Sequence, residues 1–97
     1  MPDITTPRHF EWDDAKAAEV EAVRGIAFQL AAAVFLDHDR LDMIDDRRDY
    51  GEERRITIGS ASGIIIAVVY TMRGETCRIV TAWPASRRQR KAYRGEI

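Results

Sequence analysis

Apolar positions change their period part-way along the chain, and the change divides it into helices followed by strands. Ala15, Ala17, Ala18, Val20, Ala22 and Val23 recur as one stripe of a helix running to about Arg24. Asp13 or Asp14 can accept from the unpaired N–H groups at its start, and Gly25 supplies the left-handed stop. A second, shorter segment, about Phe28 to Leu36, is nearly all apolar and predicts a mostly buried helix. Beyond it the period falls to two. Leu41 and Met43 alternate with polar residues, as do Ile56 and Ile58, which predicts two half-buried strands joined by a charged connection over Asp45 to Tyr50. Ile64 to Tyr70 is continuously apolar and predicts a central strand covered on both faces. Ser60 to Gly63 joins it to the strand before, and Arg73-Gly74 turns it into a last strand over about Thr76 to Trp83. Strict alternation there puts Arg78, Val80 and Ala82 on one face and Cys77, Ile79, Thr81 and Trp83 on the other. Ser86 and Gln89 then form a capping box, with Pro84 just upstream, and Gly95 closes a terminal helix. Its apolar residues are chiefly Ala85, Ala92 and Tyr93, so its own packing should hold it weakly.

Two N-terminal helices, a four-stranded antiparallel meander and a C-terminal helix make an α+β domain. Residues 1–9, with two prolines, read as a loose lead-in, after which Phe10 to Trp12 suit a short edge strand. Ninety-seven residues bound a single domain, 1–97, with one modest core. At 45% hydrophobic and 32% charged residues the composition is that of a globule, not of a disordered tail. The longest apolar run, Ile64 to Tyr70, falls far short of the ~20 residues a membrane helix needs, and the N-terminus lacks a charged-then-apolar signal. No membrane contact and a cytoplasmic location are therefore expected. Cys77 stands alone and cannot close an internal disulfide, which agrees with a reducing compartment. Inside a predicted strand with no His nearby in sequence, it reads as buried filler rather than a nucleophile.

Charge changes the picture more than composition does. Residues 1–53 carry 14 acidic and 6 basic side chains, whereas residues 54–97 carry 2 acidic and 9 basic, a polarity that the whole-chain charge of −1 hides. The basic half ends in Ser86-Arg87-Arg88-Gln89-Arg90-Lys91-Ala92-Tyr93-Arg94, either a solvated helix face or a surface that meets phosphate or an acidic partner. Asp37-His38-Asp39 resembles a metal cluster until its ligands are counted: one His with two flexible carboxylates makes no specific site, so no metal and no cofactor are expected. His9 and His38 read as solvated, although either can shuttle a proton near neutral pH.

Several stretches together resemble the BrnT family of bacterial toxins. Phe10-Glu11-Trp12-Asp13, Ala15-Lys16-Ala17, Phe28 and Ala33-Val34-Phe35-Leu36-Asp37 match its opening. Gly51-Glu52-Glu53-Arg54 with Ile56-Thr57-Ile58-Gly59, Val69-Tyr70-Thr71, Arg73-Gly74, Arg78-Ile79 and Ala85-Ser86-Arg87-Arg88 to Tyr93 match the remainder, in unbroken order from residue 10 to 93. The resemblance implies a RelE-like ribonuclease toxin of a type II toxin–antitoxin system that cleaves RNA and so inhibits translation. It also implies a hetero-oligomer with a BrnA-type ribbon-helix-helix antitoxin, through which alone operator DNA would be contacted. The chain departs from the family pattern in places. Val20 and Val23-Arg24-Gly25 stand where relatives usually have an Asn and Lys-His-Gly, Trp83-Pro84 where they have an Arg and often a Lys, and Gln89 where a Glu is common. The lost cations and His predict activity weaker than in relatives. The alternative reading is a weakly active or inactive co-repressor subunit of a DNA-binding toxin–antitoxin complex; a small basic module unrelated to toxins is a third.

Metal-free RNA cleavage must deprotonate a 2′-hydroxyl, stabilise the charge growing on the phosphorane and protonate the leaving oxygen. Arg54, Arg73 and Arg78, at positions matching the family, are the candidate cations for the phosphorane. Each also has a plainer reading: Arg78 as an exposed strand cation, Arg73 as a turn residue. Glu53 is a candidate base that can instead pair with an arginine. Trp83, Arg87, Arg88, Arg90 and Lys91 are the candidate RNA-binding set, Trp83 by stacking or else by covering partner surface. Trp12 reads as core, and Tyr93 as a dock for the last helix.

Overall fold

A computed structural model describes residues 6–96, so most of the expected lead-in, residues 1–5, lies outside the described residues. The chain forms β1 (His9–Glu11), α1 (Asp14–Arg24), α2 (Phe28–Ala33) continued by a 3₁₀ turn (Val34–Leu36), then β2 (Leu41–Ile44), β3 (Arg55–Ala61), β4 (Ile64–Arg73), β5 (Thr76–Pro84) and α3 (Arg87–Tyr93). Asp13 caps α1 by accepting from the Lys16 N–H at 2.8 Å, and Gly25, at φ 72°, ends it as expected. The second helix is tighter than expected at its end, where the last turn becomes 3₁₀. That turn lies directly on β3: a Cβ on Gly59 would meet Val34 Cγ1 and Arg40 Cβ at 2.9 Å, so only glycine allows the approach.

The sheet order is β1-β5-β4-β3-β2. Strands β2 to β5 form the expected antiparallel meander, with β4 at its centre and Ile66, Ala67, Val68 and Val69 buried on both faces. The expected four-stranded antiparallel sheet is corrected in one respect. β1 joins β5 in parallel, Phe10 opposite Cys77 and Glu11 opposite Arg78, which makes the sheet five-stranded and mixed. The cause is apolar: Phe10 packs on Phe35 with ring centroids 5.3 Å apart, and Trp12 meets Phe28 edge-on at 5.9 Å. Anchored there, the strand pairs with an otherwise open edge.

The sheet divides the expected single core into two clusters. On one face the two N-terminal helices cover Ile66, Val68 and Tyr70 of β4 with Cys77, Ile79 and Ala82 of β5. On the other, Tyr93 of α3 and Ala85, just ahead of its cap, pack with Ile56, Ile58, Ala67, Val69, Val80 and Trp83. The expected alternation along β5 is also corrected. Thr81 faces Val69 and Ile79 faces Tyr70, so Val80 is an extra, bulged residue. Past it the parity inverts: Ala82 joins Cys77 and Ile79, while Trp83 joins Val80 on the face that carries Arg78.

Candidate functional site

Three neighbouring strands converge on one cleft. Thr71 of β4 is paired with Arg78 of β5, and Ile56 of β3 with Val69 of β4, so residues 54, 56, 69, 71, 73 and 78 share a face. Arg54, Arg73 and Arg78 therefore project from adjacent strand ends into an open cleft of about 250 Å³. Lys16, from the first turn of α1, and Glu52 line the same cleft, and sequence reasoning assigned a role to neither. The signal for Glu52 was present as parity. In an extended chain, residues 52 and 54 point one way and residues 53 and 55 the other. Accordingly Arg54 pairs with Glu52 at 3.2 Å, whereas Arg55 reaches toward Glu53 at 3.5 Å. Glu53 does not line the cleft; it is exposed, and its backbone carbonyl accepts from the Thr71 hydroxyl at 2.8 Å.

Cations outnumber carboxylates in the cleft, and the carboxylates are engaged. Glu52 lies between two guanidiniums, Arg54 at 3.2 Å and Arg73 at 3.9 Å. Glu11 of β1 sits 3.5 Å from Arg78, and Asp13 is occupied as the α1 cap. Arg54 also rests over the Tyr50 ring, 4.2 Å from its centroid, which fixes its direction. The Arg54 and Arg78 side chains are only 26% and 29% exposed, so their charge is screened less by solvent than that of Arg73 at 55%. Such an arrangement favours a group carrying more than one negative oxygen, as a phosphodiester or its phosphorane does.

The second set of candidate residues sits further along the same face. Trp83 is half-buried, donates its Nε1–H to Gln89 Oε1 at 3.2 Å, and has the guanidiniums of Arg24 and Arg47 at 5.7 and 5.5 Å from its ring. It thus bridges α3 and the β2–β3 connection. The expected capping box is present, with Gln89 N–H donating to Ser86 Oγ and Ser86 N–H to Gln89 Oε1. Arg87, Arg88 and Lys91 are exposed, whereas Arg90 turns back to donate to the Ala85 carbonyl at 2.7 Å. The terminal helix is better held than its composition suggested, because the Tyr93 hydroxyl donates to Asp37 at 2.5 Å.

Other candidates fall away from the cleft. Asp37 accepts from Ser60 N–H at 2.8 Å, from Asp39 N–H and from Tyr93, and although burial raises its pKa these bonds hold it below the ordinary value. The Asp37-His38-Asp39 string is thus a turn that anchors β3 and α3. Among the described residues no group of three or more His, Cys, Asp or Glu is gathered as metal ligands would be. His9 is exposed on β1, and neither His9 nor His38 lines the cleft. Cys77 is fully buried, and burial pushes its thiol up to about 12, so it is core and not a nucleophile at neutral pH. Trp12 is core as expected.

No helix of the described chain is long and apolar enough to cross a membrane. No curated protein matches the chain. The family model described as ribonuclease toxin, BrnT, of type II toxin-antitoxin systems matches residues 12–89, a span that includes every residue lining the arginine cleft. On that match the chain belongs to the BrnT family of type II ribonuclease toxins.

Proposed function

We propose that the arginine cleft is the catalytic centre of a metal-independent endoribonuclease that cuts by transesterification and thereby inhibits translation in the cytoplasm. The observation that carries this reading is the convergence of Arg54, Arg73 and Arg78 with Lys16 and Glu52 in one cleft. Glu52 is better placed than Glu53 to accept the 2′-hydroxyl proton, because it lines the cleft and Glu53 does not. The freed oxygen attacks phosphorus, the three guanidiniums stabilise the charge on the phosphorane, and Lys16 supplies a proton to the departing 5′-oxygen. The products are a 2′,3′-cyclic phosphate and a 5′-hydroxyl. A BrnA-type antitoxin neutralises the enzyme by covering the face on which the cleft, Trp83 and Arg87, Arg88, Arg90 and Lys91 lie. Operator DNA is reached only through that partner.

A second reading, a weakly active co-repressor, draws support from two features. Glu52 partly neutralises the arginines, and a half-buried Trp83 stands where relatives place a cation. The test is incubation of purified chain with RNA in excess EDTA. Cleavage should persist, leave cyclic phosphate ends, and stop when the cut nucleotide is 2′-deoxy. Loss of cleavage in EDTA, or cutting of the 2′-deoxy strand, would refute the mechanism; no cleavage at all, with no growth arrest on induction, would favour the co-repressor.

A further inference from the structure

The bulge at Val80 brings a second cationic point onto the cleft's face. Without the extra residue Trp83 would point toward the N-terminal helices; with it, Trp83 lies on the side of Arg78. β1 pairs with Thr76 to Arg78, so among the described residues the edge of β5 beyond Arg78 has no strand beside it. Arg24, at the end of α1, spans that edge, donating from Nη1 to Thr81 Oγ1 and to the Ala82 carbonyl, both at 3.2 Å. Its guanidinium also lies 5.7 Å from the centre of the Trp83 ring, so backbone and aromatic together hold it in place while it remains exposed. The neighbouring Arg47 is less available as a cation, because it forms a two-pronged pair with buried Asp45 at 2.7 and 2.9 Å.

We infer that Arg24, mounted on Trp83, is a second phosphate contact, and that the substrate is a single RNA strand running along β5 from the arginine cleft toward Arg87 and Arg88. This inference rests on the ribonuclease reading and specifies its substrate. Five residue steps along the strand take Arg78 to Trp83, roughly 15 Å, which a single strand spans with more than one nucleotide. A track along one strand edge, with an aromatic beside its cations, suits an extended strand better than a rigid A-form duplex.

The experiment is a salt titration of binding to three non-cleavable 2′-O-methyl probes: a strand of about 12 nucleotides, a dinucleotide and a 12-base-pair duplex. Arg24→Gln keeps donors for Thr81 and Ala82 but removes the charge, and its melting temperature is checked against the parent. It should lower the slope of log affinity against log salt by about 0.7 for the long strand. The dinucleotide, which reaches only the cleft, should change much less, and the duplex should bind the parent more weakly than the strand does. An unchanged slope for the long strand, or a duplex bound as tightly as the strand, overturns the inference. Arg78→Gln separates the two readings. If it weakens binding while Arg24→Gln does not, only the second contact is wrong; if the parent binds no probe, the ribonuclease reading falls with it.

Discussion

Asp42 shows how much one residue organises in this fold. Its carboxylate, at the edge strand β2, accepts from Arg40 at 2.8 Å, from Arg55 at 2.5 Å and from the Tyr70 hydroxyl, and Arg40 in turn donates to Thr57 at 2.8 Å. Arg40 and Thr57 are buried, and Arg40 also lies 4.7 Å from the centre of the Phe35 ring. Burial, with Asp42 accepting its proton, raises the Tyr70 pKa and keeps the hydroxyl a donor. Asp42→Ala should therefore remove the carboxylate shared by Arg40, Arg55 and Tyr70 and cost about 3–5 kcal/mol, read as a drop in the denaturant midpoint. A cost below ~1 kcal/mol would mean that the network relaxes around water. The Arg55 and Tyr70 partners were not legible in the sequence, because a pairing between residues 42, 55 and 70 depends on strand register. The Glu52–Arg54 and Glu53–Arg55 pairs were legible, since they follow from parity within one extended segment.

At the scale of elements, the sequence announced most boundaries because their signals are local. Asp13 and Gly25 frame α1, Ser86 and Gln89 open α3, and the turn glycines Gly63 and Gly74 take positive φ at the two hairpins. What escaped was non-local or depended on a count. The β1–β5 pairing joins segments at opposite ends of the chain, and the Val80 bulge shifts parity without leaving a glycine or proline to mark it. Tyr93 was expected to dock α3, as it does, but its partner Asp37 belongs to the same class, and the pair yields a pH prediction. The hydrogen bond to Asp37 first, then burial, pushes the Tyr93 hydroxyl up to about 12. Its folded pKa lies above the ordinary 10.0, so the stability it contributes is fully present below pH 10 and is lost as pH rises toward about 12. Amide exchange in α3 should accelerate, beyond the intrinsic rise with pH, across that window in the parent and be already fast at neutral pH in Tyr93→Phe. Equal protection of parent and variant would show that Ala85 and the capping box hold the helix unaided. Ser86→Ala should separately cost about 1 kcal/mol by removing the cap.

For the whole molecule, cations that lie far apart in the sequence come together on one face, with carboxylates of the acidic half interleaved among them. Arg54, Arg73, Arg78 and α3 share one face of the sheet, with Trp83 between them, while the opposite face is closed by α1 and α2. In the proposed reading this face attracts RNA over distance and offers an antitoxin a surface to occlude. The resemblance singled out the three arginines as candidate cations; the physical reason they meet in one cleft is that three adjacent strands bring their ends together with matching parity. The most direct test of the central claim is the rate of RNA cleavage, in EDTA, by Arg54→Ala, Arg73→Ala and Arg78→Ala beside the parent, each variant first shown to be folded. Removing any one cation from a shared phosphorane site should lower kcat/KM by well over tenfold, more than about 1.4 kcal/mol of transition-state stabilisation. Three variants that cleave at the parental rate would contradict the assignment of this cleft as the catalytic centre.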